Sequence, residues 1–398
     1  MSATESTRGG EPMSGNPVRH TPIALDDGFA PLCTDEPEFL GSQLLTYLGN
    51  KRALLPLIDR AAAQVQDRVG RKLTVLDAFS GSGVVSRLLK SRARVVMAND
   101  LESYARVMSD CHLTNRDDID LSEIGSLVDE FNAQVDAGHH VEGFIEELYA
   151  PDDDHDIKPG ERVFYTRDNA RRLDAYATLI HGSEPRLVPF LLAPLLSEAS
   201  VHANTSGLFK GFHKDKNTGL GRFGGAGEHA LIRILGTIRL AAPVLSRHSA
   251  EKRVLQMDAN DLPGHVGPVD IAYLDPPYNQ HPYGSNYFML NLLTRYRRPE
   301  EVSRVSGIPV DWNRSAYNTR SSSAELLHDL AHSLDAKYLL VSFNDEGFIT
   351  PDTMTDILSS VGTITEFRMR YNTFRGSRNL RGRSTHVTEH LYLVEKRC

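Results

Sequence analysis

Leu73-Thr-Val-Leu-Asp-Ala-Phe-Ser-Gly-Ser-Gly83 is an apolar run that ends in an acid and a glycine-rich turn, and helical spacing begins at Val84. Strand, glycine turn, helix is the unit from which a doubly wound sheet is built. Glycines at a strand's C-terminal end let backbone approach a ligand, and the N-terminus of the following helix favours anionic groups. The third glycine of the dinucleotide fingerprint is missing, because position 86 is Ser. That argues for a nucleoside smaller than a pyrophosphate cofactor. A tight structural turn alone gives the same pattern, so the stretch needs support from elsewhere.

Support comes from both sides. Val95 to Ala98 reads as a second buried strand ending at Asn99-Asp100, and Asp100 lies 23 residues after Asp77. Nucleotide-binding βαβ units place an acid on ribose hydroxyls at a spacing of about 20 residues. Upstream, Leu45, Leu48, Leu54, Leu55 and Ile58 predict a helix from Leu44 to Ala63. Downstream, strands are expected at Val269 to Leu274 and Tyr338 to Phe343, then at Ile364 to Tyr371 and Val387 to Val394. The last two lack an intervening helix and suit an antiparallel hairpin at the sheet edge. The expected fold is therefore α/β, Rossmann-like, with a doubly wound and mostly parallel sheet. The chain between the second strand and Val269 is too long for a loop and predicts an inserted, mainly helical lobe. The expected division is a disordered tail at 1–36, sheet parts at 37–110 and 251–398, and the lobe at 111–250.

Asp275-Pro-Pro-Tyr278 directly follows the strand Asp270-Ile-Ala-Tyr-Leu274. Each proline fixes φ and offers no N–H, so the turn is stiff. A carboxylate, a bare carbonyl and an aromatic ring are thereby held together. They suit an amino group on a planar ring: Asp275 accepts one N–H, the Pro276 carbonyl the other, and Tyr278 stacks on the ring face. Pro277 completes the rigid turn. Catalysis there would rest on positioning and electrostatics, with no covalent enzyme intermediate.

Tyr47-Leu-Gly-Asn-Lys51, Asp77-Ala-Phe-Ser-Gly-Ser-Gly83, Asn99-Asp100 and Asp275-Pro-Pro-Tyr278 together resemble, in this order, the motif series of adenine-N6 DNA methyltransferases of the Dam-like D12 class. The resemblance covers roughly residues 40 to 396. It implies S-adenosyl-L-methionine as cofactor and double-stranded DNA as partner, with a target adenine flipped out of the stack to reach the Asp275–Tyr278 turn. It further implies that Tyr47 and Lys51 contact the cofactor, Lys51 at its carboxylate. Asp77, Phe79, Gly81 and Gly83 would form the cofactor turn, and Asp100 would take the ribose. Asp275 would touch both cofactor and target amine, and Asp258 would lie near the cofactor adenine. Asn204-Thr-Ser-Gly-Leu-Phe-Lys210, Gly219 and Phe223-Gly224 resemble the family's target-recognition hairpin, although the spacing differs. Lys210, His213, Lys214 and Arg222 would contact DNA there. Val341 to Gly347 resembles a segment that shapes the adenine pocket. Phe374 to Arg383, with Arg375, Arg378 and Arg381, reads as a DNA-backbone contact.

Composition sets the outer bounds. The 398 residues are 40% hydrophobic and 24% charged, ordinary for a globular protein, and no apolar run is long enough for a membrane span. Cys33, Cys111 and Cys398 are far apart, so neither a disulfide framework nor a zinc site is expected and a reducing cytoplasm is the natural setting. None of the 16 histidines has metal spacing. The net charge of −8 does not exclude DNA, because phosphate contacts depend on local basic surface. The residues leave open an RNA adenine, a cytosine N4 or a glutamine amide as methyl acceptor. They also leave open a non-catalytic DNA-binding subunit, against which the intact Asp275–Tyr278 turn speaks. No nuclease signature is evident, so any restriction endonuclease acting at the same site belongs to another chain.

Overall fold

β-Rich aliphatic runs buried on both faces make parallel strands, and such runs form the centre of this chain. The computed structural model describes residues 19–20, 37–47, 49, 51–139, 141–225, 228–344, 347–372 and 386–397. Its strands are β1 (Arg19–His20), β2 (Leu73–Asp77), β3 (Ala93–Asn99), β4 (Glu251–Leu255), β5 (Val269–Leu274), β6 (Ala336–Asn344), β7 (Gly362–Asn372) and β8 (His386–Lys396). They form one sheet in the order β1-β7-β8-β6-β5-β2-β3-β4. β2 to β6 run parallel to one another, and β8 is antiparallel to both β6 and β7. The expected α/β fold with an antiparallel hairpin is present, but the hairpin is turned inward: the last strand lies inside β7.

Three sequence expectations are corrected. The helix expected from Leu44 runs instead from Leu55 to Val69, after a short 3-10 turn at Arg52–Leu54. Gly49 at φ 72° breaks the earlier chain, Pro56 sits in the first helical turn, and Gly70 closes the helix in the left-handed region. Arg19 and His20, expected within a structureless tail, pair with Thr365 and Glu366 along the open edge of β7. β4 was not foreseen. Its Glu-Lys-Arg-Val-Leu sequence is half-exposed and charged, as edge strands are, so it carries no apolar run to read.

The lobe is built on the helices Leu121–Asp136, Phe144–Tyr149, Arg167–His181 and Val188–Val201. Its core extends beyond residues 111–250, taking in Tyr104, Ala105 and Met108 from one side and Tyr287 to Leu290 from the other. Buried amides tie it together. Asn132 donates to the Leu240 carbonyl and accepts from the Leu240 N–H and the Tyr176 hydroxyl. Asn169 does the same for Gly236 and Ile238.

Two contacts position the functional end of the sheet. Asp270 on β5 is buried, accepts from the Thr74 N–H of β2 at 2.9 Å, and is gripped by the Arg71 guanidinium at 2.6 and 2.9 Å. On the helix Val84–Lys90, fully buried Arg87 donates to the carbonyls of Phe39, Ser42 and Gln43 and so holds the chain that leads to Tyr47. Replacing Asp270 by Ala strips the Thr74 N–H and Arg71 of their acceptor. It should lower unfolding free energy by about 1–3 kcal/mol in urea titration. An unchanged midpoint would show that the β2–β5 pairing does not depend on it.

Candidate active site

In doubly wound sheets, ligands bind beyond the C-terminal strand ends where the strand order reverses. Here that point lies between β2 and β5, since β3 and β4 continue on one side and β6 on the other. A cleft of about 870 Å³ opens there, lined by the segments that follow β2, β3, β4 and β5. Asn99 knits its floor. Its amide donates to the carbonyls of Ala78 and Met257 and accepts from the Met257 N–H at 3.1 Å.

On the glycine-turn side, Gly81 and Gly83 adopt φ of 51° and 77°. A Cβ on Gly81 would lie 3.1 Å from the Tyr47 hydroxyl, so the turn is both left-handed and crowded. The Gly81 N–H donates to Asp100 at 2.8 Å, and the other Asp100 oxygen accepts from the Glu102 N–H at 2.9 Å. Burial raises the Asp100 carboxyl above its ordinary range, against these hydrogen bonds. Asp77 is fully buried, accepts from Ser86 at 2.5 Å, and is pushed up to about 7 by burial. Asp258 lines the cleft while capping the turn Ala259–Gly264 through the Asn260 N–H. Phe79 stands edge-on to Tyr317 with ring centroids 5.2 Å apart.

Tyr47 is held in a sheaf of tyrosines. It stacks on Tyr283 and Tyr287 at 5.1 and 4.6 Å, and its hydroxyl meets that of Tyr104 at 3.1 Å. Four residues on, Lys51 is buried with its ammonium 3.2 Å from Asp275 and 3.7 Å from Glu389. Burial opposes its charge, but Asp275 and Glu389 outweigh this and hold its pKa well above the ordinary value. Lys51, which the resemblance aims at a cofactor carboxylate, thus has two protein carboxylates as partners.

The Asp275–Tyr278 turn closes the site from β5. Burial, aided by the like charge of Glu389 and opposed by Lys51, pushes Asp275 up to about 6. Pro276 is buried, and Pro277 lines the cleft. Tyr278 packs edge-on to Phe343 at the end of β6, and its carbonyl accepts from the Phe348 N–H at 2.8 Å. The structure therefore brings Tyr47, Lys51, Asp77, Phe79, Gly81, Asp100, Asp258, Asp275 and Pro277 to one cleft. Gly83 lies just beneath it, bonding back to Ser80. Among the described residues, five carboxylates line this cleft (Asp77, Asp100, Glu102, Asp258 and Asp275) against Lys51 as the one lysine or arginine.

The basic stretch beside it forms a small hairpin. Lys214 and Gly221 bridge antiparallel, the Asp215 N–H donates to Leu220, and Gly219 turns at φ 72°. Buried Asn204 staples the hairpin to the lobe through the Val163 and Arg222 carbonyls and the Gly224 N–H. The Phe209 N–H donates to the Asn286 carbonyl, just past the Asp275–Tyr278 turn. Lys210 lies close enough to His281 that its charge, after burial, lowers the imidazole's pKa. Lys210, Lys214 and Arg222 are exposed and His213 is half-buried. Arg368 instead pairs with buried Glu366 at 2.8 Å. Arg375, Arg378 and Arg381, with the rest of Phe374 to Arg383, lie outside the described residues, as do Asp345 and Glu346.

Sequence reading missed Glu102, Tyr104, Tyr283, Tyr287, Asn313, Tyr317 and Glu389. Tyr283 and Tyr287, one helical turn apart after the Asp275–Tyr278 turn, were the only visible signal. Asn313 and Tyr317 come from a loop without a motif, and Glu389 from the far end of the chain.

Comparison with known proteins agrees with this geometry. The family described as D12 class N6 adenine-specific DNA methyltransferase matches residues 47–357. Type II methyltransferase M.NlaIII of Neisseria lactamica is 26% identical over 361 residues, covering 88% of this chain and 99% of its own. Type II methyltransferase M.CviAII of Paramecium bursaria Chlorella virus 1 is 26% identical, covering 87% and 97%. Modification methylase StsI of Streptococcus sanguinis is 25% identical across 89% of this chain, which spans 52% of that longer protein. The Asp275–Tyr278 turn at the sheet's reversal point thus belongs to a D12 class N6 adenine-specific DNA methyltransferase, an enzyme that modifies DNA at specific sites.

Proposed function

We propose that the cleft binds S-adenosyl-L-methionine and that an adenine flipped from duplex DNA enters the pocket formed by Asp275 to Tyr278. The observation that carries this is the pairing of a carboxylate-rimmed cleft with a rigid amine-accepting turn on adjacent strands. Five acids around one lysine repel a pyrophosphate and favour a ligand with net positive charge. The crowded Gly81 turn leaves room for backbone contact only, and Asp100 keeps lone pairs for ribose hydroxyls beyond the two backbone N–H groups it accepts. When bound, the cofactor supplies an electrophilic methyl group.

The chain's own residues do the rest. Asp275 and the Pro276 carbonyl each accept a hydrogen bond from one of the two amino N–H groups of adenine and so direct the nitrogen lone pair, while Tyr278 covers the ring. The prolines keep these groups from relaxing, which lowers the barrier by preorganisation. The hairpin with Lys210, His213, Lys214 and Arg222 meets the DNA flank, its exposed cations taking phosphates. Among the described residues no helix is long and apolar enough to cross a membrane. We infer a cytoplasmic enzyme whose mark protects its sequence from a restriction endonuclease on another chain; its relatives are named as type II methyltransferases.

Sequencing DNA from cells that express this chain alone, against an Asp275→Ala control, tests the reading. N6-methyladenine at one repeated sequence, absent in the control, is expected. Unmarked DNA would reject DNA as a substrate for the chain alone.

In vitro, Asp275→Ala should cut kcat by about 10²-fold or more while DNA affinity is kept. Asp275 must be ionised to accept a proton, so activity should rise with pH through about 6. A pH-independent rate from 5 to 8 would remove Asp275 from the acceptor role. Asp100→Ala should weaken cofactor binding about 10- to 100-fold by calorimetry, because a charged acceptor is lost. An unchanged dissociation constant would place the ribose elsewhere.

A further inference from the structure

Glu389 enters no motif, yet β8 carries it to the reacting end of the sheet. It pairs in register with Asn344, the last residue of β6, one strand away from β5 and its Asp275 turn. Its side chain is 2% exposed and lies 3.7 Å from the Lys51 ammonium, which is 3.2 Å from Asp275. One buried cation is thus shared between two carboxylates from different parts of the chain, Glu389 buried and Asp275 partly exposed at the cleft. A lysine with Asp275 as sole partner would close on it and occupy the oxygen that the target amine needs. A second carboxylate 3.7 Å from the same ammonium divides that attraction.

We propose that Glu389 is a positioning residue for methyl transfer: by sharing the Lys51 ammonium, it keeps an oxygen of Asp275 available to the target amine. This rests on Asp275 being the amine acceptor. The groups facing Asp275 are Lys51 from the entering segment, Asp77 after β2, Tyr273 on β5, Tyr278 in the turn, Tyr283 on the next helix, and Glu389 on β8. Among the described residues, Lys51 is the cation of this set. Removing the Glu389 charge relieves a repulsion on the Asp275 carboxylate and frees Lys51 to pair with it fully. Both changes favour ionised Asp275 and weaken it as an acceptor.

Steady-state kinetics of Glu389→Gln, measured from pH 5 to 8 with a DNA substrate, test this. The expected result is a kcat about 10- to 100-fold lower with KM for DNA and cofactor within about twofold. The acid limb should move below its wild-type position by about half a pH unit or more. Glu389→Asp, which keeps the charge, should restore the limb. Wild-type kcat and limb in the Gln variant, or a loss confined to KM, would overturn the proposal. If the Gln variant does not fold, Lys51→Gln serves with opposite sign. Asp275 then faces Glu389 with no cation between them, and the limb should rise; a limb at or below the wild-type position overturns the proposal. An active Asp275→Ala would instead overturn the acceptor reading itself, so the two failures are separable.

Discussion

The parallel pairing of β2 with β5 is the constraint on which the rest of this molecule depends. Val75, Leu76 and Asp77 stand against Ile271, Ala272 and Tyr273, so the glycine turn and the Asp-Pro-Pro-Tyr turn leave the sheet side by side. A slip of one residue would send alternate side chains to the wrong face. The Asp270–Thr74 hydrogen bond fixes the register from the opposite end of the strands. Chemistry at the C-terminal edge is therefore set by a buried carboxylate near the N-terminal edge, five residues before Asp275.

Electrostatics at that edge are arranged by exclusion rather than by neutralisation. Asp77, Asp100 and Asp275 are each raised by burial, and each is restrained by a short-range donor: Ser86, backbone N–H groups, and Lys51. Exposed positive charge stands elsewhere, on the hairpin of Lys210, Lys214 and Arg222. Under the proposed function, a polyanion is drawn to that hairpin and turned away from the acidic cleft, and a neutral base is the part of it that meets no repulsion on entering.

Much of this was legible in the sequence because the central strands are continuous apolar runs and the turns that follow them use residues with sharp backbone requirements. Leu73–Asp77 and Val269–Leu274 could be read almost to the residue. Elements whose identity comes from tertiary surroundings were not. β4 is polar because it is an edge, and Leu44–Tyr47 looks helical by spacing but is bound as extended chain, Thr46 donating to Ser200. Glu389 is invisible for the same reason. Its meaning comes from a strand that returns between two others after the whole fold is built.

The extended strap at residues 43–47 has a consequence for how such enzymes diversify. Its side chains and backbone are bound to the lobe, at Ala242, Val244, Ser197 and Ser200, while Arg87 of the cofactor-side helix grips it from below. Tyr47 then continues directly into the cleft. The lobe and the cleft floor are therefore not modules joined by a neutral linker. A lobe exchanged between relatives would have to bring a matching strap with it, although the strap lies some sixty residues before the lobe begins. Compatibility between lobe and floor is discontinuous along the gene, and a simple crossover in the insertion would leave the tyrosine sheaf without its support.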